Sequence, residues 1–157
     1  WGRSADGHQL RTSGTTNSLS NVDLPTSGLF IVASSDPFDW RVPQNNNLWQ
    51  GVNGINNPCP MGFRIPTNDE WETERKSWSS NNSTGAYAST LKLPLATGRN
   101  STTGSILTTA SGAGYWSSST QTSSTRSTSM ILTITTGNSG YSNGSRAGGA
   151  SCRCIKD

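Results

Sequence analysis

The stretch Asn57–Trp71 reads NPCPMGFRIPTNDEW. Pro58, Pro60 and Pro66 fix φ and remove backbone donors, so the segment is stiff and extended with no helix of its own. Phe63 and Ile65 alternate with Arg64, the pattern of a short strand with one face inward. The chain then turns into a helix. Thr67 stands three residues ahead of Glu70, just before an aromatic, which is a capping-box pattern. Asp69, Glu70, Glu72 and Glu74 place negative charge in the first two turns, where it suits the helix dipole. These acids read as caps and solvated groups. Nothing in the neighbouring sequence supplies an apolar pocket to make a catalytic pair of them.

Outward from this stretch the helix is expected over Asn68–Ser79, with Trp71 and Trp78 on one face. Glu72 and Lys76 form a favourable i,i+4 pair. Leu29–Val32 is a short apolar strand, followed by a turn at Ser34–Pro37. Residues 39–51, DWRVPQNNNLWQG, carry two tryptophans in an amide-rich loop. Leu91, Leu93 and Leu95 alternate with Lys92 and Pro94, predicting an edge strand. A further strand starts at Tyr115. Met130, Leu132 and Ile134 alternate with their neighbours and predict another. Gly137–Gly149 is a glycine-rich return. Cys152, Cys154 and Lys156 share one face of a terminal strand. Residues 1–28 are polar and without periodicity, an extended arm ahead of a single domain over 29–157.

The 157 residues suit one domain. Only 30% are hydrophobic and 13% charged, with Ser, Thr, Asn and Gly making up the difference. Six tryptophans provide large buried areas, so the expectation is a folded, loop-rich, mostly β domain with a thin core. The net charge is +3, with basic residues scattered, which argues against a nucleic-acid partner. The longest apolar run, Leu29–Ala33, is far too short for a membrane span.

Catalytic patterns are absent. His8 is the only histidine and has no nucleophile motif near it. No phosphate-binding or dinucleotide fingerprint occurs. Asp36 and Asp39 flank Trp40 in the manner of a sugar site, yet turn chemistry accounts for Asp36. Asp23, Asp36 and Asp39 are the carboxylates a Ca²⁺ ion would draw on, but they form no compact acidic loop. No metal or other cofactor is expected. The spacing of Cys59, Cys152 and Cys154 gives no zinc pattern. Sequons at Asn81, Asn82, Asn100 and Asn143 are candidate glycosylation sites.

NPCPMGFRIPTNDEW, LKLPLATGRN, GYWSSS and SCRCIKD, in this order, resemble the Fibrobacter succinogenes major paralogous domain family. WGRSADGHQLRTSGTT and DWRVPQNNNLWQGVNGINN extend the resemblance over nearly the whole chain. It implies an α+β, C-type-lectin-like fold: a small twisted antiparallel sheet, one or two helices and long irregular loops. It implies no catalytic residues, and the cysteines of the related formylglycine-generating enzymes have no counterpart here. The family's terminal cysteine corresponds to Cys154, which implies a Cys59–Cys154 disulfide and leaves Cys152 as an odd thiol. Family members carry a strand ahead of the segment matching Trp1, so the terminal strand is expected to lack that neighbour.

The expectation is a secreted, non-enzymatic module at the bacterial cell surface, structural or adhesive. It would assemble with copies of itself, as a homo-oligomer or fibre, through the 1–28 arm or the edge beside Ile155. The alternative is a monomeric module that binds a glycan or surface protein through the 115–146 region. Tyr115, Tyr141 and Arg146 would be its ligand contacts, with Trp116 equally suited to the core.

Overall fold

The computed structural model describes residues 1–108, 112–121 and 128–157. In chain order the elements are β1 (Thr15–Thr16), β2 (Phe30–Ile31), β3 (Phe63–Arg64), α1 (Asn68–Lys76), α2 (Ser83–Ala88), β4 (Ala113–Gln121), β5 (Thr128–Ile134), β6 (Ser139–Ser145) and β7 (Ile155–Lys156). The class is α+β, with small sheets and long irregular connections. β1 pairs with β2 in parallel. β3 pairs with β7 antiparallel, Arg64 opposite Ile155. β4, β5 and β6 form an antiparallel three-stranded sheet in that order.

The central sheet separates two apolar clusters, and period-two alternation makes the separation. Tyr115 and Trp116 are neighbours on β4 and so face opposite sides. Tyr115 joins Trp71, Trp78, Leu93, Leu132 and Ile134. Trp116 joins Trp1, Ile31, Trp40, Leu48, Trp49 and Ile65. All six tryptophans are buried, at 1–9% exposure, which is how so apolar-poor a chain closes two cores. Trp71 ties them together: it packs in the first cluster while its indole N–H donates to the Trp116 carbonyl at 3.1 Å.

The capping box forms. Thr67 Oγ1 accepts from the Glu70 amide at 3.3 Å, and Glu70 Oε2 accepts from the Thr67 amide at 2.8 Å. α1 ends at Lys76, short of the expected Ser79, with Ser77 as its C-cap. Trp78 still reaches the first cluster because the chain keeps turning, its amide donating to the Arg75 carbonyl at 3.3 Å. The second helix has no apolar periodicity to announce it. Asn82 starts it, its side-chain oxygen accepting from the amides of Thr84 and Gly85 at 3.0 and 3.2 Å.

One expected feature differs. Leu91–Leu95 is not a strand: Lys92 has φ 51° and donates its amide to the Ser89 carbonyl at 3.1 Å, so the segment turns. Leu93 is nevertheless buried, and Leu91 and Leu95 pack beside it. The terminal strand pairs with β3 along one edge.

Residues 1–28 turn back onto their own domain. The Trp1 indole N–H donates to the Ser117 carbonyl at 2.8 Å. The Trp1 backbone nitrogen donates to the Arg146 carbonyl at 2.8 Å. The Arg3 guanidinium, 5% exposed, holds Asp6 and the carbonyls of Ser27 and Leu29. An arm without an apolar pattern docks here through buried tryptophan and arginine at its start and backbone pairing at β1.

Candidate ligand-binding site

The residues singled out from the sequence are not brought together as a binding face. Tyr115 is buried, and its hydroxyl donates to the Pro94 carbonyl at 2.7 Å. Tyr141 stands across Leu132 from Tyr115 and packs on the same cluster. Burial first, then the Glu72 carboxylate, raises the Tyr141 hydroxyl pKa above its ordinary value. Arg146 lies in the other core, 2% exposed, with its guanidinium 4.5 Å over the Trp1 ring and Nη2 donating to Asn46 Oδ1 at 2.6 Å. Trp116 is a core residue. Residues 122–127 of the expected binding region lie outside the described residues.

The sequons differ in how much of the amide is engaged. Asn81 Nδ2 donates to Asn138 Oδ1 at 2.8 Å and to the Ser139 carbonyl at 3.1 Å. Asn82 caps α2. Asn100 Oδ1 closes a turn by accepting from the amides of Thr102 and Thr103 at 2.8 and 3.0 Å. Asn143 is exposed on β6.

Asp23 pairs with Arg41 at 2.6 Å, and Asp39 is buried facing Arg146 at 3.7 Å. No group of three or more His, Cys, Asp or Glu stands together to hold a metal, among the described residues. Cys59 and Cys154 are joined in a disulfide, and Cys152 keeps its thiol.

A cavity of about 390 Å³ opens between the 1–11 segment and the 146–152 segment. That volume suits a small organic ligand. Trp1, Trp40, Trp49 and Trp116 line one part, with Ile31. Phe30, His8, Arg11, Thr97 and Arg99 line another. Arg3 and Arg146 also border it, and no carboxylate side chain does, among the described residues. The wall is therefore aromatic and basic, with the acids that pair Arg3, His8 and Arg146 set behind it.

The basic groups are not equivalent. Arg3 has Asp6 at 2.7 Å, and Arg146 has Asp39. Arg99 stacks 4.2 Å over the Phe30 ring and, among the described residues, hydrogen-bonds only neutral oxygens: Gly104 O at 2.9 Å, Ser13 Oγ at 2.6 Å and Ser13 O at 3.2 Å. Burial lowers its pKa with no acid opposing the change. Arg11, an exposed residue bordering the same cavity, donates to Thr97 Oγ1 at 2.7 Å. His8 Nδ1 lies 2.8 Å from Asp6 Oδ1; burial lowers the ring's pKa and Asp6 opposes that. Cys152 faces the cavity. The residue is exposed as a whole, but protein packed around its sulfur pushes the thiol pKa up to about 11.

The lining residues come from several separate stretches and share no local pattern that marks a binding site. The cavity joins the two ends of the chain, and the paired tryptophans of DWRVPQNNNLWQG were its sole local sign. Compared with protein-family models, curated proteins and solved structures, the chain matches none of them.

Proposed function

We propose that this chain is a secreted, non-catalytic recognition module of the cell surface, with the tryptophan- and arginine-lined cavity as its ligand seat. The observation that carries the reading is a pocket of about 390 Å³ with aromatic walls, basic groups and no acid among the described residues. Aromatic faces supply contact area, and a few placed polar groups supply orientation. The Cys59–Cys154 disulfide fits an oxidising compartment. No helix among the described residues is long and apolar enough to cross a membrane.

Anilinonaphthalene sulfonate, an aromatic anion, tests the seat. The chain is expected to bind it with enhanced dye fluorescence and quenched tryptophan emission. Ala5, an exposed residue at the cavity, offers a plug: Ala5→Trp is expected to abolish that binding while the protein stays folded. Equal binding by the plugged variant, or none by the parent, overturns the reading.

A self-assembling structural or adhesive role is the second reading. Residues 1–28 keep Leu10, Leu19, Val22 and Leu24 outward, at 40–62% exposure. Such side chains suit contact with a second copy. Filaments or closed oligomers by electron microscopy, lost in Val22→Ser/Leu24→Ser, would favour this reading. Monodisperse monomers would leave the first.

A further inference from the structure

Resting on the reading of the cavity as the ligand seat, we infer that its ligand is a carboxylate with an aromatic body. The carboxylate sits on Arg99 and Arg11, and the ring sits among the tryptophans.

The argument starts from which polar groups are already occupied. Arg3 is neutralised by Asp6 and also donates to two carbonyls. Arg146 is held against Asp39, Asn46 and the Trp1 ring. Arg99 differs. Its Nε and one N–H on each terminal nitrogen go to Gly104 and Ser13, so one N–H on each terminal nitrogen has no partner among the described residues. Arg99 and Arg11 meet no carboxylate among the described residues, and both border the cavity. A partly buried guanidinium without a counter-charge is a natural seat for an anion. A carboxylate suits it because a charge-assisted hydrogen bond to a single guanidinium N–H is stronger than a neutral one.

The remainder of the wall decides the body of the ligand. The indole N–H groups of Trp1 and Trp40 already donate to Ser117 and Trp1 carbonyls, at 2.8 and 2.6 Å. Their donors are thus spent, and guanidinium groups stand over both rings, Arg146 at 4.5 Å from Trp1 and Arg3 at 5.9 Å from Trp40, so what these two rings offer a ligand is limited to their apolar edges. A sugar brings several hydroxyls, each needing a partner once it leaves water. The tryptophan part of the cavity offers few side chains to meet them. A flat aromatic ring needs none and gains from tilted or stacked contact with indoles. Such packing already occurs in the wall, where the Trp1 and Trp49 rings lie 5.6 Å apart.

The probes are naphthoate, its neutral amide naphthamide, and the sugar acid glucuronate, titrated into the full chain by calorimetry. Naphthoate is expected to bind at least about tenfold more tightly than naphthamide, the scale of a charge-assisted pair. Glucuronate is expected to bind weakly or not at all. Arg99→Gln is expected to remove the preference for the acid while leaving naphthamide affinity in place. Arg11→Gln alters an exposed side chain and so keeps the test valid if Arg99→Gln does not fold; it is expected to weaken naphthoate alone. Equal affinity for naphthoate and naphthamide overturns the carboxylate while retaining the cavity as the seat. Tight glucuronate with weak naphthoate overturns the aromatic body. Binding of none of the three, with anilinonaphthalene sulfonate still bound, overturns the ligand class and spares the seat.

Discussion

Arg64 holds Glu70 end-on, Nη1 to Oε2 and Nη2 to Oε1, both at 2.7 Å, while its Nε reaches Asp157 at 2.7 Å. One guanidinium thus joins β3, the start of α1 and the last residue, beside the capping box.

That junction predicts an acid-side loss of stability. Arg64 first, then the Thr67 amide and hydroxyl, hold the Glu70 carboxyl down to about 2 from 4.5, against the opposing effect of burial. A carboxyl with a depressed folded pKa contributes stability above its unfolded pKa and loses it as pH falls through the folded one. The loss is therefore expected between pH 4.5 and about 2. Glu70→Gln is expected to flatten that part of the profile. At neutral pH, Thr67→Ala is expected to cost about 1 kcal/mol through the cap, without affecting ligand affinity. Urea midpoints across the acid range check both; an unchanged profile for Glu70→Gln would contradict the first.

The disulfide closes 95 residues between Cys59 and Cys154. The chain-entropy account gives about 4–5 kcal/mol for a loop of that order, so Cys59→Ala should cost several kcal/mol. Non-reducing peptide mapping should find Cys59 with Cys154 and a thiol at Cys152; a Cys59–Cys152 link would be the contrary result. Burial pushes the Cys152 thiol from 9.0 up to about 11, with only its thiolate reactive. Alkylation of the native chain near neutral pH should run roughly a hundredfold slower than for an unshifted thiol. Denaturation should erase that difference.

Gly85 lies buried inside α2, and a Cβ there would stand 1.9 Å from the Ser80 carbonyl oxygen. The obstacle is backbone, which cannot swing aside. Gly85→Ala, ordinarily favourable to a helix, is expected to destabilise by about 1–3 kcal/mol. A stability equal to the parent's, by urea denaturation, would mean that α2 shifts freely.

Among the sequons, Asn143 is expected to carry a glycan in a host that modifies such sites. It is exposed on β6, whereas Asn81 Nδ2 is held by Asn138 and Ser139. Intact mass above that of the bare polypeptide, lowered by Asn143→Gln, is the expected result. The bare mass from a glycosylating host would count against it.

What the sequence disclosed was local. Thr67 and Glu70 lie within one turn, so the cap was legible. Leu132 and Ile134 alternate cleanly, so β5 was legible too. Lys92 defeated the same alternation rule at Leu91–Leu95, because one left-handed residue turns an extended run back on itself. The second helix escaped notice since a side-chain cap and tertiary packing, not an apolar stripe, hold it. Tyr115 and Tyr141 looked like surface aromatics in polar sequence, yet strand pairing on either side of Leu132 draws both inward. The cavity was illegible for another reason: its wall is assembled from distant segments.

The Trp1–Arg146 hydrogen bond spans 145 positions. Bringing such remote segments together is entropically demanding and comes late when nearer contacts form first. The pocket is therefore expected to be among the last parts of the molecule to take shape during refolding, and its occupancy reports on the completed chain. Any compound lodged there binds only that finished state, so mass action raises the melting temperature of the entire domain as its concentration increases. A plain thermal scan would thus read occupancy without a label on either partner.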